Sequence, residues 1–325
     1  MITAKAFAGK HYALYGLARS GLATAAALIA SGAQVTAWDG KEEALAKAPA
    51  GVIIADLDKI DLSPFDSLVV TPGLPLNRHP IAERARAAGV EIIGDIELFA
   101  RARAELPMHK VVGITGTNGK STTTALVHHI LKTAGVPTTM GGNIGLPILA
   151  QEPLPGGGVY VLELSSYQID LTQSLDCDVA VLLNITPDHL DRYDGFEAYA
   201  ASKARLFAMQ IPADHYCNGV PIVVSSGEVA NQIGKSWGAI EIGEDYLQPE
   251  IFGEQADWPS LQGPHNLLNA GAAAAIVFYA DVVDYGAVRR ALRTYPGLPH
   301  RMERVREKDG VLFVNDSKAT NAEAA

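Results

Sequence analysis

Residues 113–122 form a glycine-rich segment, Gly-Ile-Thr-Gly-Thr-Asn-Gly-Lys-Ser-Thr, between an apolar run and a stretch that favours a helix. Glycines allow backbone N–H groups to close around phosphate oxygens, and the N-terminus of the following helix attracts the anion. Lys120 has the reach to contact outer phosphates, and the Ser121 hydroxyl suits Mg2+. Five residues separate Gly113 from Gly119, so the spacing departs from the strict G-x-x-x-x-G-K-[ST] pattern. The segment predicts a nucleoside triphosphate site, with an ordinary strand-to-helix turn as the alternative.

Two strongly apolar segments follow this loop, and each ends in polar side chains. Residues 159–164 carry Glu163 near their end, and residues 179–185 run into a segment with two aspartates and a histidine. Ligands collect at the carboxyl edge of parallel strands, so both groups are expected beside the phosphate loop. Glu163 is predicted to join Ser121 as an oxygen ligand of Mg2+, with an exposed strand end as the alternative.

The residue types around His189 leave its role open. It stands beside Asp188 after an apolar segment, which favours a site, but a single histidine is also common as a structural residue. Lys203 is indistinguishable by type from an ordinary surface lysine.

The start of the chain alternates short apolar segments with alanine-rich stretches, which predicts βα units. Strands are predicted at His11–Tyr15, Gln34–Trp38 and Ser67–Val70, with a helix over residues 22–30. The turn at residues 16–21 lacks the G-x-G-x-x-G spacing, so a nicotinamide cofactor is not favoured.

That turn nevertheless offers donors for a diphosphate. Arg19 and Ser20 stand where a helix N-terminus would bind the anion, with a plain Rossmann-like turn as the alternative. Asp39 follows the second strand, where an acidic residue often contacts a ribose or base. Thr71 opens another turn at the same carboxyl edge, where ligands collect in open α/β sheets.

The fold class predicted is α/β, with more than one domain, because 325 residues exceed the usual size of one hydrophobic core. The polar stretch 101–110 contains Pro107 and separates the first unit from the phosphate-loop strand. We therefore expect a Rossmann-like domain at residues 1–106 and a P-loop domain with a mostly parallel sheet at residues 107–298.

Composition narrows the class of partner. A net charge of −10 argues against a general nucleic-acid or membrane-surface binder. Cys177 and Cys217 form no metal-like cluster, fit a reducing compartment, and are interpreted as small buried hydrophobes. The apolar run at residues 22–29 is too short to span a bilayer. We expect a cytoplasmic protein without membrane insertion, and a monomer.

Three motifs together resemble the Mur ligases of peptidoglycan synthesis. They are Gly116-Thr117-Asn118-Gly119-Lys120-Ser121-Thr122, Glu163-Leu164-Ser165-Ser166-Tyr167-Gln168 and the segment 184–193. Their order and spacing match, and the resemblance covers essentially the whole chain. Within the family, segments 184–193 and 315–321 are most similar to those of ligases that add D-glutamate to UDP-N-acetylmuramoyl-L-alanine. The implied reaction uses ATP: the L-alanine carboxylate attacks the γ-phosphate to give an acyl phosphate, and the D-glutamate amine then displaces phosphate.

The resemblance also implies the site residues. ATP is expected to contact Gly116, Thr117, Asn118, Gly119, Lys120, Ser121, Thr122, Asn266, Arg301 and Asp316. The other substrates are expected to contact Ala18, Arg19, Ser20, Asp39, Thr71, Asn143, Asp188, His189, Lys318 and Thr320. One Mg2+ is implied at Ser121 and Glu163, and a second near His189 and a carbamylated Lys203, with Lys120 completing the catalytic set. His265, His128 and His129 are expected to be structural.

The family also has a third, Rossmann-like domain of which residues 299–325 would supply only a linker and first strand. The resemblance therefore implies that this chain binds the nucleotide sugar, and ATP weakly, but forms little or no amide bond. Two alternatives stay open. Another ligase of the superfamily, adding L-alanine, a diamino acid or glutamate to folate, would share the phosphate loop. A non-catalytic nucleotide-sugar-binding module would bind without forming an acyl phosphate.

Overall fold

The computed structural model describes residues 1–210, 220–224, 233, 239–242 and 253–318. The strands are β1 (His11–Tyr15), β2 (Gln34–Trp38), β3 (Val52–Ile54), β4 (Ser67–Val70), β5 (Glu91–Ile93), β6 (His109–Thr115), β7 (Thr138–Gly142), β8 (Gly158–Glu163), β9 (Val179–Leu182), β10 (Val220–Val224), β11 (Ile240–Ile242), β12 (Glu303–Lys308) and β13 (Val311–Asn315). The α-helices are α1 (Arg19–Ala30), α2 (Glu42–Leu45), α3 (Ile81–Ala87), α4 (Asp95–Ala102), α5 (Lys120–Thr133), α6 (Ser166–Asp170), α7 (Phe196–Ala208), α8 (Pro264–Tyr279) and α9 (Tyr285–Thr294).

The first sheet contains five parallel strands in the order β3-β2-β1-β4-β5. Strand β4 is buried along its whole length, as expected for a strand covered on both faces. The strands predicted at β1, β2 and β4 are confirmed. Helix α1 begins at Arg19 rather than at residue 22, so the last residues of the glycine turn form its first turn.

The second sheet is also parallel, in the order β11-β10-β9-β6-β8-β7. Along β8, Val159 and Val161 face one core cluster, whereas Tyr160 and Leu162 face another. This alternation arises because successive side chains of a strand point to opposite faces. Strand β6 lies between β8 and β9, so the carboxyl ends of all three strands meet at one edge. The predicted α/β class with mostly parallel sheets is confirmed.

The C-terminal described segment differs from the single first strand that was expected. Strands β12 and β13 pair antiparallel as a hairpin, with a register shift between Arg304 and Arg306. The turn uses Asp309 and Gly310, both with positive φ (53° and 75°), and Asp-Gly is a strong hairpin signal. This Asp-Gly signal was present in the sequence.

Among the helices that the structure describes, none is both long and apolar enough to cross a bilayer.

Candidate nucleotide and substrate site

The phosphate loop connects the end of β6 to the start of α5. Gly116 has a φ of 153° and Gly119 a φ of 81°. A Cβ on Gly119 would lie 2.5 Å from Oδ1 of Asn269 on α8. Glycine is therefore required here both by the left-handed backbone and by the close approach of a second element.

This loop forms one wall of a cavity of about 560 Å³. Of the residues predicted from the sequence, those that line it are Thr117, Asn118, Gly119, Lys120, Ser121, Thr122, Asn143, Glu163, Asp188, His189, Asn266, Arg301 and Asp316. The structure thus brings together residues from the loops after β6, β7 and β9, the end of β8, helices α5 and α8, and the C-terminal segment. The cavity combines loop N–H groups, cations and carboxylates, which suits a multiply charged anion with a metal ion.

Lys120 lies folded back over its own loop. Its Nζ donates to the carbonyl oxygens of Gly116 and Thr117, both at 2.8 Å. Burial lowers the pKa of Lys120 from its usual 10.5, and the negative charge of Glu163 opposes that shift. Nearby negative charge therefore favours its cationic form.

Glu163 ends β8 as a buried carboxylate with only one of its oxygens paired. The side chain is 1% exposed, and Oε1 accepts a hydrogen bond from Asn143 Nδ2 at 2.7 Å. Its Oε2 is buried without a hydrogen-bond partner. A desolvated carboxylate oxygen is costly unless a cation or donor pairs with it. This oxygen, in one cavity with the Ser121 hydroxyl, fits a hard cation such as Mg2+.

Within the described ranges, no group of three or more His, Cys, Asp and Glu side chains is placed to hold a metal ion. Mg2+ commonly takes one or two protein ligands and completes its shell with water and phosphate oxygens.

Lys203 does not line the cavity, but it shares a hydrogen-bond acceptor with Lys120. Its Nζ donates to Gly116 O at 2.9 Å, the same oxygen that Lys120 contacts. The side chain is 2% exposed, and its Nζ lies 4.7 Å from the ring centroid of Tyr199. Burial lowers the pKa of Lys203 well below 10.5, and the Lys120 charge adds to the shift. Lys203 is thus no ordinary surface lysine.

His189 has an uncommon backbone conformation, with a φ of 53°. Its ring packs against Tyr167, with centroids 5.1 Å apart, and its Nε2 is 3.6 Å from Oδ2 of Asp188. The carbonyl of His189 accepts a hydrogen bond from Arg192 N at 2.9 Å. Strained backbone of this kind is frequent at functional sites.

The glycine turn after β1 is shaped by close contacts. A Cβ on Gly21 would lie 1.9 Å from Gly16 O, and a Cβ on Gly16 would lie 2.3 Å from Thr71 Oγ1. Asp39 accepts hydrogen bonds from the N–H groups of Leu17 at 2.7 Å and Lys41 at 2.9 Å. Asp39 therefore holds the turn in shape, in addition to any contact with a ligand.

The residues at the start of α1 face the second sheet. Ala18 is the N-terminal cap residue of α1 and makes no side-chain capping bond; Arg19 and Ser20 follow in its first turn. The guanidinium of Arg19 donates to the carbonyl of Gly145, in the loop that also carries Asn143. The turn after β1 and the loop of Asn143, both predicted from the sequence to contact substrate, are thus joined.

Three predicted residues near the C-terminal end have different placements. Asp316 lines the cavity, and its Oδ1 accepts from Met302 N at 3.0 Å. Lys318 is absent from the lining, and its N–H donates to His300 O at 3.1 Å. Thr320 lies outside the described residues, as does Cys217. Cys177 is buried, as predicted.

Several cavity residues were missed by the sequence analysis. They are Leu183, Asn184, Ser260, His265, Leu268, Asn269, Tyr295, Gly297, Leu298 and Met302. His265 was expected to be structural, but it is exposed on the cavity wall, because it lies in the first turn of α8, which points toward the phosphate loop. Asn184 opens the segment 184–193 that the sequence analysis had already selected, so a signal for it existed.

The fold and site define an α/β protein with a glycine-rich loop between a strand and a helix, and comparison with known proteins identifies its family. A model of the Mur ligase middle domain matches residues 114–235. The UDP-N-acetylmuramoylalanine–D-glutamate ligase of Novosphingobium aromaticivorans is 61% identical over 323 residues, which are 99% of this chain and 72% of that protein. The enzyme of the same name from Sphingopyxis alaskensis is 58% identical over 328 residues, covering 100% of this chain and 74% of that protein. The chain belongs to this family of Mur ligases.

Solved structures of lower identity share the fold. The UDP-N-acetylmuramate:L-alanyl-gamma-D-glutamyl-meso-diaminopimelate ligase from Neisseria meningitides superposes with a TM-score of 0.59 at 18% identity, over 89% of this chain and 99% of that one. The UDP-N-acetylmuramate–alanine ligase from Thermotoga maritima gives a TM-score of 0.53 at 20% identity, over 94% of this chain and 74% of that one.

Proposed function

We propose that this chain acts in peptidoglycan precursor synthesis as an ATP-dependent ligase that joins D-glutamate to UDP-N-acetylmuramoyl-L-alanine through an acyl phosphate. The observation that carries the proposal is the 61% identity with a ligase of that name over 99% of the chain. The cavity supports it, because the glycine loop, Lys120 and the unpaired oxygen of Glu163 lie together as phosphoryl transfer requires.

The loop 116–119 and the start of α5 are proposed to hold the ATP phosphates. Lys120 would exchange its bonds with loop carbonyls for bonds with phosphate oxygens, whose negative charge favours the cationic form of the side chain. Asn266, Arg301 and Asp316 line the rest of the cavity and are proposed to contact the nucleotide. When bound, Mg2+ would neutralise charge shared between two anions that otherwise repel each other. Ser121 and Glu163 are proposed to hold it.

Lys203 is proposed to become carbamylated. That reaction joins an uncharged amine to CO2, forms an N–C bond and releases one proton. Burial favours the neutral amine at this position. The carbamate would carry oxygen atoms beside Gly116, and we propose that it and His189 bind a second Mg2+ ion.

The uridine diphosphate end of the substrate is proposed to bind at the turn after β1, near Ala18, Arg19, Ser20, Asp39 and Thr71. The bond from Arg19 to Gly145 supports this placement, since it joins the turn to the loop of Asn143 and so to the cavity. The remainder of the substrate would then extend toward His189. Domain limits at residues 106 and 298, a cytoplasmic location and a monomeric state are proposed with it.

The chain spans 72–75% of the length of these relatives. We propose that these 325 residues contain the nucleotide-sugar and ATP sites.

Calorimetric titration with UDP-N-acetylmuramoyl-L-alanine tests the substrate, followed by titration with ATP and Mg2+ and an assay of ADP release with and without D-glutamate. Saturable binding of the nucleotide sugar is expected, and its absence would overturn the substrate assignment. ADP release that rises with D-glutamate is expected, and ADP release that D-glutamate leaves unchanged would count against D-glutamate as the acceptor.

A further inference from the structure

The segment after β9 lies directly against the phosphate loop. The N–H of Leu183 donates to Thr115 O at 2.9 Å, and the N–H of Thr117 donates to Asn184 O at 3.0 Å, so the β6–β9 pairing continues past both strands. A Cβ on Gly116 would lie 3.1 Å from Cβ of Leu183 and 3.3 Å from the backbone N and O of Asn184. The loop is therefore about as close to this segment as a glycine allows.

The carboxamide of Asn184 makes a two-way pair with one residue of the loop. The N–H of Asn118 donates to Oδ1 at 2.7 Å, and Nδ2 donates to Asn118 O at 2.9 Å. The same Oδ1 accepts from Thr117 N at 3.1 Å. A reversed amide would set donor against donor and acceptor against acceptor, so the network defines the orientation of the side chain.

We propose that Asn184 is a positioning residue that holds the loop in its phosphate-binding conformation by dividing its N–H groups into two sets. The N–H groups of Thr117 and Asn118 are directed at Asn184. The second set consists of the N–H groups of Gly119, the N-cap of α5, and of residues 120–122 in its first turn. This helix start has no side-chain cap, and helix geometry gives these N–H groups no partner within the helix. The second set is directed to the anion. The inference rests on the proposed function, since it requires a triphosphate in this cavity.

A neutral amide is the group that this role requires. Aspartate would still accept the two N–H bonds, but it would lose the donor to Asn118 O and place oxygen against oxygen. It would also add a negative charge beside the phosphates. Alanine would remove the brace without adding charge. The two substitutions therefore separate bracing from electrostatics.

The test measures the affinity for ATP with Mg2+ by calorimetry and for adenosine by ligand-observed NMR. The proteins are the wild type, Asn184→Asp, Asn184→Ala and the control Gln34→Glu, which adds the same charge at an exposed residue. Both Asn184 variants are expected to lose ATP affinity by about tenfold or more, with the larger loss in Asn184→Asp. Adenosine affinity should be unchanged in all four, because adenosine has no phosphate for the loop to bind.

Equal ATP affinity in all four proteins would overturn the inference, and so would a loss confined to Asn184→Asp, which would leave only a charge effect. A wild type that binds no ATP would count against the proposed function instead. Hydrogen exchange at the N–H of Asn118 then tests whether the Asn184 side chain holds the loop, because the N–H of Thr117 also donates to the backbone carbonyl of residue 184, which the substitution keeps. Faster exchange in Asn184→Ala is expected, and unchanged exchange would refute it.

Discussion

Glu163 is a buried carboxylate with one oxygen that has no hydrogen-bond partner in the free protein. It lies at the end of a fully buried strand, yet its Oε2 has no hydrogen-bond partner. Such a group lowers the stability of the unliganded protein, since a desolvated carboxylate oxygen without a partner is costly. Its persistence beside the phosphate loop is explained if a cation pairs with it during function.

Replacement of Glu163 by glutamine should therefore uncouple ATP binding from Mg2+. Gln can still accept from Asn143, but it has no charge for the ion. We expect Mg2+ to tighten ATP binding in the wild type and to do so at least about tenfold less in Glu163→Gln. Titrations with magnesium or with EDTA measure this, with Glu83→Gln at an exposed position of α3 as the control. An equal Mg2+ effect in both variants would remove Glu163 from the ion site.

Lys203 should make stability depend on pH in the alkaline range. Its pKa is well below 10.5 in the folded protein, so between the two pKa values the unfolded chain binds more protons. The loss of stability caused by burying this amine is complete below its pKa in the folded protein and disappears as the pH approaches 10.5. The free energy of unfolding therefore rises with pH by about 1.4 kcal/mol per pH unit inside that window.

The corresponding measurement is urea unfolding across that range in bicarbonate-free buffer. Lys203→Met should flatten the rise, whereas Lys47→Met at an exposed position should retain it. Parallel curves for the wild type and Lys203→Met would show that the lysine is not desolvated.

At the scale of elements, β6 depends on a glycine that has an ordinary negative φ. A Cβ on Gly113 would lie 2.8 Å from Sγ of Cys177 and 3.3 Å from Cδ1 of Leu164. The strand carrying the phosphate loop thus packs closely against the segment that precedes β9. Burial raises the pKa of the Cys177 thiol to about 12, so it stays protonated as a small packed group.

Gly113→Ala should destabilise the protein by about 1–3 kcal/mol through overpacking. Cys177→Ala removes the sulfur that the new methyl would meet, so the double variant should recover part of the loss. Urea unfolding of the two single variants and the double variant gives the coupling energy directly. Additive effects would show that the strain arises elsewhere along β6.

At the scale of the whole molecule, the first sheet and the second sheet, which carries the phosphate loop, share one hydrophobic cluster. Leu14 of β1 and Leu162 of β8 belong to it, and the rings of Phe99 and Tyr160 meet with centroids 5.1 Å apart. Arg192 adds a polar link, since its Nη2 donates to Leu74 O at 2.9 Å. The segment of His189 is thereby tied to the turn that follows β4.

Arg192→Ala should weaken nucleotide-sugar binding by about tenfold, because the loop of His189 would lose both this bond and the contact of the guanidinium with the Tyr167 ring, 4.2 Å away. Arg192→Lys keeps a cation and a donor, so it should recover part of the affinity. Calorimetry of the three proteins measures this. Equal affinity of the wild type and Arg192→Ala for the nucleotide sugar would show that the hydrophobic cluster alone holds the two sheets in position.

Much of this protein follows from local sequence. Alternating apolar and alanine-rich segments predicted β1, β2, β4 and the α/β class, because burial on both faces of a parallel sheet demands continuous apolar strands. The glycine-lysine-serine segment predicted a turn between β6 and α5, since its residue types satisfy a local backbone geometry. The motif around Glu163 placed a carboxylate at a strand end.

Other features depended on contacts between distant parts of the chain. The type of Lys203 gave no sign of its burial, which arises because α7 packs it under Gly116, 87 positions away. His265 and Asn269 join the cavity only because α8 packs against α5. Asn184 braces the loop because β9 lies beside β6. Residue types and spacing therefore determined the local elements and the chemistry available, whereas burial, pairing and the pKa of each group were decided by tertiary packing, since these depend on neighbours that sequence order does not specify.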